Sequence, residues 1–188
     1  MLGIGRPPEA RYHRQDGVTP RLQHVLNTLD PAPALIRTAT WDVIAWNRSA
    51  ATVLPYGSMP PGERNMLHHV FLSPLGRAVQ YDWESVARSV VAEFRADAAR
   101  AGALAEVGAL VDDLCRLSPE FEAMWRDNDV RTAGEVVKHI RHPVLGPITF
   151  EISTFAVDGR PDLAMVVYYP ADAADADRIR SLSMPDIA

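Results

Sequence analysis

Trp41-Asp42-Val43-Ile44-Ala45-Trp46-Asn47 is the stretch on which the reading of this chain turns. Its apolar residues read as a short strand between two tryptophans, closed by an asparagine. Ala34-Leu35-Ile36-Arg37 just before it reads as another strand. Arg48-Ser49-Ala50-Ala51-Thr52-Val53-Leu54 just after it reads as a helix. The order is strand, turn, strand, then helix through Asn47, a residue type that caps helices. Such a hairpin can form one wall of a pocket whose other walls come from the rest of the chain. Strict alternation on the second strand sends Trp41, Val43 and Ala45 to one face, and Asp42, Ile44 and Trp46 to the other.

Working outward toward the N-terminus, Thr19-Pro20 reads as a cap and first-turn proline for a helix over Arg21–Leu29. Leu22, Val25, Leu26 and Leu29 give it one apolar face. Residues 1–18 are rich in glycine, proline and charge and read as a linker or loose arm.

Toward the C-terminus, Pro55–Glu63 is turn-rich, Asn65–Leu72 reads as a short helix, and Ser73-Pro74 starts another turn. Asp82–Ala101 is the clearest helix, with Trp83, Val86, Val90, Phe94 and Ala98 as its apolar stripe. A helix over Ala103–Leu117 follows, and Ser118-Pro119-Glu120 starts one more, through Phe121, Met124 and Trp125. The period then changes. Glu135–His142, Ile148–Phe155 and Leu163–Tyr169 read as three strands, turned at His142–Pro147 and at Asp158-Gly159. The tail, 171–188, holds a short helix. Two strands, a block of helices and three strands make an α+β domain over residues 19–170, with helices covering one face of a five-stranded antiparallel sheet.

Composition narrows the function classes. The chain has 188 residues, 47% hydrophobic and 23% charged, enough apolar material for one domain with its own core. A net charge of −5 disfavours nucleic-acid binding by this chain itself, which needs a basic face. Cys115 is the only cysteine, so no intramolecular disulfide forms, and a reducing, cytoplasmic setting is expected. The first residues lack the apolar core of a signal peptide. No apolar run approaches the ~20 residues of a membrane span, so no membrane partner is expected.

The sequence carries no G-x-S-x-G, G-x-x-x-x-G-K or G-x-G-x-x-G motif. His139 and His142 would face opposite sides of a strand, and His68 and His69 would diverge by about 100° on a helix. No catalytic residue, metal site or cofactor is therefore assigned. Arg95, next to Phe94 and near Val91, either packs its stem along the helix or anchors a carboxylate at the mouth of an apolar cavity. Asn47 and Asn65 either cap helices or present polar groups to a pocket. The aromatic residues Trp41, Trp46, Phe71, Trp83, Phe94, Phe121, Trp125, Phe150 and Phe155 form either a core or the lining of an apolar site.

Several short pieces, in order, resemble one family. They are Pro33-Ala34-Leu35-Ile36-Arg37, Trp41 to Asn47, Arg64-Asn65-Met66, and Phe71-Leu72-Ser73-Pro74 with Arg77. Next come Asp82-Trp83, Phe94-Arg95, Leu117-Ser118-Pro119-Glu120-Phe121 with Trp125, and His142-Pro143-Val144-Leu145-Gly146. Together they resemble the ligand-binding domain of MmyB-like transcription regulators. The resemblance implies a PAS-like fold with an internal pocket for a fatty-acid-like or other small apolar ligand. It also implies that ligand state passes to an N-terminal helix-turn-helix domain, absent from this chain, through which alone DNA would be bound. On this reading Arg95 holds a carboxylate, with Asn47, Asn65 and His142 as polar partners. Trp46, Phe71, Val91, Phe94 and Trp125 supply the apolar lining. A PAS-like order places the hairpin at the sheet centre, with Ile44 and Trp46 on the helix-covered face and Trp41 on the outer face. Two alternatives stand beside it. One is a cofactor-free enzyme using His142, His68, His69 or Glu151 as acid or base. The other is an interaction module that forms a homodimer through the arm and the Arg21–Leu29 helix.

Overall fold

The computed structural model describes residues 17–101, 104–127 and 136–183. The arm expected over residues 1–18 lies, up to residue 16, outside the described residues, as do the expected starts of a helix at Ala103 and a strand at Glu135. The described chain runs α1 (Pro20–Thr28), β1 (Ala34–Thr38), β2 (Val43–Trp46), α2 (Arg48–Val53), two short 3-10 turns (Pro55–Gly57 and Pro61–Glu63), α3 (Met66–Leu72) and α4 (Pro74–Ala78). It continues through α5 (Trp83–Ala101), α6 (Leu104–Leu117), α7 (Pro119–Arg126), β3 (Val136–His142), β4 (Gly146–Val157), β5 (Arg160–Pro170) and α8 (Ala173–Ser183).

Side-chain caps start most of these helices. Thr19 Oγ1 accepts from the Leu22 amide, Asn65 Oδ1 from Leu67 and His68, Ser73 Oγ from Gly76, and Ser118 Oγ from Phe121. Each occupies one or two of the amides that a helix leaves free in its first turn.

The five strands form one antiparallel sheet in the order β2-β1-β5-β4-β3, the α+β, PAS-like arrangement. The centre belongs to β5. The β1–β2 hairpin lies at one edge, not at the centre as the sequence reading places it. One face carries the large core, where Leu67 of α3, Val91 and Phe94 of α5, Leu114 of α6 and Phe121 of α7 meet Leu35, Phe150 and Val166 of the sheet. The opposite face carries a smaller cluster, where Leu26 of α1 packs on Ala34, Ile36, Ala45, Leu163 and Val167. The chain continues past residue 170 into α8, which buries Ile179 in the large core and packs against α2.

The hairpin departs from strict alternation. Leu35 pairs with Trp46 and Ile36 with Ala45, but Arg37 pairs with Val43, so Ile44 is an extra residue in a bulge. The bulge puts Val43 and Trp46 on the large-core side and leaves Ala45 and Ile44 against the α1 cluster. Trp46 is where alternation puts it, whereas Val43 and Ile44 exchange faces.

Trp41 is also corrected. It is not a strand residue; it lies in the turn, with φ at 63°, a left-handed conformation uncommon for a bulky side chain. That backbone turns the indole inward, edge-on to Phe94 at 5.8 Å, instead of out toward α1. Its Nε1 donates to Asp97 at 3.0 Å, and the Arg37 guanidinium lies 3.6 Å over the ring. Arg37 is 1% exposed and pairs with Asp97 at 2.7 Å and Glu93 at 2.8 Å. A charge this deep is tolerable because its partners are fixed beside it.

Candidate functional site

A cleft of about 380 Å³ opens between the sheet and the helices, within the size range of small-molecule sites (about 300–1,000 Å³). Its roof is α2 from Ala51 to Val53 and the turn through Leu54, Pro55 and Tyr56. His69 of α3 and the segment from Leu75 to Gln80 close one side. Lys138, Ile140 and His142 of β3, Phe150 of β4 and Tyr168 of β5 form the floor.

The floor follows from strand parity. Residues 138, 140 and 142 face one way along β3, and Ile140 belongs to the large core. The edge of β3 is extended by one rung, with the Arg141 amide donating to the Val79 carbonyl at 2.9 Å and Gln80 bridging Ile140. The side wall depends on a close approach. A Cβ on Gly76 would lie 1.9 Å from the His69 carbonyl oxygen, so only glycine lets α4 sit against α3 here.

Six titratable groups line this cleft: Tyr56, His69, Lys138, Arg141, His142 and Tyr168. Neither tyrosine hydroxyl nor the Lys138 ammonium has a hydrogen-bond or ion-pair partner among the described residues. Burial pushes the Lys138 ammonium down to about 8, with Glu93 pulling the other way. Burial likewise takes His69 down to about 4, with the Lys138 charge adding to the effect, so its imidazole is neutral. Tyr168 is pushed up to about 12 by burial, against the opposing charge of Arg37, and Tyr56 is raised by burial and by Tyr168. Gln80 is 7% exposed, and its Oε1 has no partner. His142 stands at the rim, where Nδ1 accepts from the Val144 and Leu145 amides at 3.2 and 3.0 Å, which leaves the proton on Nε2. Burial holds it below the usual histidine range.

A second cavity, about 100 Å³, lies under α5 beside Arg37, Trp41, Val90 and Glu93. Lys138 and Tyr168 border both spaces. Among the described residues no group of three or more His, Cys, Asp or Glu side chains could hold a metal. No described helix is long and apolar enough to cross a membrane.

A family model for the MmyB-like transcription regulator ligand-binding domain matches residues 18–182. The chain belongs to that family. No curated protein matches the sequence. The MmyB-like match covers α1 through nearly all of α8 and accords with the sheet order and helix set described above. It makes the domain a ligand-binding, sensing part of a transcription regulator.

Of the nine residues singled out in the sequence, His142 alone borders the cleft over β3 of this MmyB-like domain. Asn47 is a junction, bonded through its side chain to Leu26, Ala32, Ala34 and Ala50. Asn65 caps α3 and donates to the Thr40 carbonyl and to Asp42. Trp46 lies under the Arg64 guanidinium, 4.7 Å away. Phe71, Phe94 and Trp125 belong to a continuous aromatic chain with Phe121, at centroid spacings of 5.0–5.8 Å, and Val91 is buried beside it. Arg95 spends its guanidinium on the carbonyls of Met124, Trp125 and Asp127, where it caps the end of α7, and it stacks over Trp125 at 4.8 Å. Of the alternative acid–base residues, His69 lines the cleft, and Glu151 lies exposed on the other face of β4.

The residue that sequence reasoning missed is Lys138. One signal was available, since it is the only lysine among 19 lysines and arginines.

Proposed function

We propose that the cleft over β3 is the sensing site of this domain, and that it takes a small apolar, fatty-acid-like ligand with its polar head inward on Lys138. The observation that carries this reading is the Lys138 ammonium on the floor of the cleft, without a hydrogen-bond or ion-pair partner among the described residues, beside the hydroxyls of Tyr56 and Tyr168 and a wall of apolar side chains. Leaving a cation in such a place costs several kcal/mol in desolvation, and an anionic or strongly polar head group offsets that cost. Val53, Leu54, Ile140 and Phe150 provide the apolar walls for a chain.

The route outward is short. The roof of the cleft is α2, whose first turn is held through Asn47 to the end of α1 and whose side packs on α8. A ligand that favours one seating of α2 biases α1, and a helix-turn-helix domain joined ahead of α1 would read that bias in the cytoplasm as a population shift. Titrating saturated fatty acids of increasing chain length into the protein, by native mass spectrometry, tests the reading. Binding that is lost in Lys138→Met and kept in Arg95→Gln supports it. Equal binding by wild type and Lys138→Met overturns it.

A second reading, cofactor-free catalysis, is favoured by one observation. The same cleft holds a neutral imidazole at His69 and an amine at Lys138 that burial pulls down to about 8. Turnover of a bound ligand, lost in His69→Gln while binding persists, would establish it.

A further inference from the structure

Of the 19 lysines and arginines in this protein, all but one are arginine. Where only a fixed positive charge is needed, arginine serves, and for a carboxylate its planar fork is the better match. Lysine alone adds an amine that can lose its proton and attack a carbonyl carbon. The single lysine is half-buried on the sheet, whereas the one fully buried arginine among the described residues, Arg37, is held by Glu93 and Asp97. Lys138 stands between two cavities, without a protein partner among the described residues.

The surroundings suit an amine that reacts. Tyr56 and Tyr168 open unbonded hydroxyls into the same cleft, and burial keeps both protonated far above neutral pH. Gln80 Oε1 is a buried acceptor without a donor. Glu93 on α5 is the charged group that acts on Lys138, and Lys138 in turn lowers His69 on α3. Burial outweighs the Glu93 carboxylate at Lys138, so about a tenth of the amine is neutral at pH 7, far more than for an ordinary lysine.

We propose that Lys138 captures an aliphatic aldehyde or ketone in the cleft as a reversible imine. This rests on the reading that the cleft is the ligand site, and it names the head group of the ligand. The neutral Nζ forms a bond to the carbonyl carbon, and the carbonyl π pair moves to oxygen. One N–H proton passes to that oxygen, giving a carbinolamine whose hydroxyl can donate to Gln80 Oε1. The carbon–oxygen bond then breaks. The oxygen leaves as water with the second N–H proton, relayed through a tyrosine hydroxyl, and the nitrogen pair closes the C=N bond. One water is released, and neither oxidant nor reductant is consumed. The apolar walls slow the return of water, which would hydrolyse the imine.

The chain makes the test clean, because Lys138 and the N-terminal α-amino group are its only amines. The full chain is incubated with decanal and cyanoborohydride at pH 7, and the reduced adduct is located by peptide mapping. The expected result is an adduct at Lys138 beside one at the N-terminal α-amino group, whose ordinary pKa of about 7.7–8.0 also leaves it reactive. The Lys138 adduct forms on the order of a hundredfold faster than on the lysine of a short peptide, in line with its larger neutral fraction. It is absent from Lys138→Arg, and its rate falls to the peptide value when the wild-type chain is unfolded in urea. Decanoate binding, measured in parallel on wild type and Lys138→Met, separates the two readings. Decanoate held through Lys138 with no adduct, or with an adduct only at the N-terminus, overturns capture and leaves the pocket. No adduct at Lys138 and no decanoate binding overturns both.

Discussion

Asn47 donates its side-chain amide to the Leu26 carbonyl at 3.2 Å, tying the start of α2 to the last turn of α1. The same amide reaches the Ala32 carbonyl at 2.8 Å, while Oδ1 accepts from Ala34 and Ala50 at 3.0 and 2.9 Å. One buried side chain thus joins a strand, two helices and the loop between them. Asn47→Ala leaves four backbone groups without that partner, and a loss of about 2–4 kcal/mol is expected in urea unfolding. Asn47→Asp keeps the acceptor and loses the donors, so it is expected to fold with α1 loosened, visible as faster amide exchange at Leu26 to Leu29.

Gly76 offers a test of the side wall. Gly76→Ala places a methyl on the His69 carbonyl, so α4 must move away from α3. The expected loss is about 1–3 kcal/mol in thermal unfolding, with ligand affinity reduced because Leu75 and Val79 line the cleft.

Arg95 separates a structural cation from a binding one. Its guanidinium closes α7 on three carbonyls, so Arg95→Gln is expected to cost about 1–2 kcal/mol of stability and to leave fatty-acid affinity within about twofold. A large loss of affinity at unchanged stability would return Arg95 to the site.

Acid sensitivity follows from His69. Its folded-state value is about 4, below the ordinary histidine value, so between pH 6.5 and 4 the unfolded chain binds the proton and the folded chain does not. Stability present above pH 6.5 is therefore lost as pH falls toward 4, by up to about 2–3 kcal/mol, and His142 adds in the same direction. In His69→Gln the slope of stability against pH over this window is expected to flatten. An unchanged slope would contradict a buried, neutral His69.

Most of the fold was legible because its signals are local. Thr19, Asn47, Asn65 and Ser118 sit where capping chemistry requires them, and the three C-terminal strands announce themselves by β-branched and aromatic residues. The hairpin was harder. A single bulge at Ile44 and a left-handed Trp41 reverse the faces that strict alternation assigns, and neither is written in a seven-residue pattern. The α5 stripe was read slightly rotated. Ala87, Val91, Phe94 and Ala98 are its buried apolar residues, while Trp83 and Val90 stay at the margin. The site was the least legible part. Arg95 looked like an anchor from its apolar neighbours, yet the carbonyls it caps come from a helix about thirty residues away in sequence. Lys138 carried its signal in being the only lysine, while its burial depends on strand parity and on which helices cover β3.

The central claim is that Lys138 is the anchor of a ligand cleft. With 13C-labelled lysine the protein gives a single Cε resonance, and its shift is followed against pH with and without decanoate. A titration near pH 8 in the free protein, moving upward when the carboxylate binds beside the ammonium, is the predicted result. A titration near the ordinary lysine value, about 10.4, unmoved by ligand, would contradict the account.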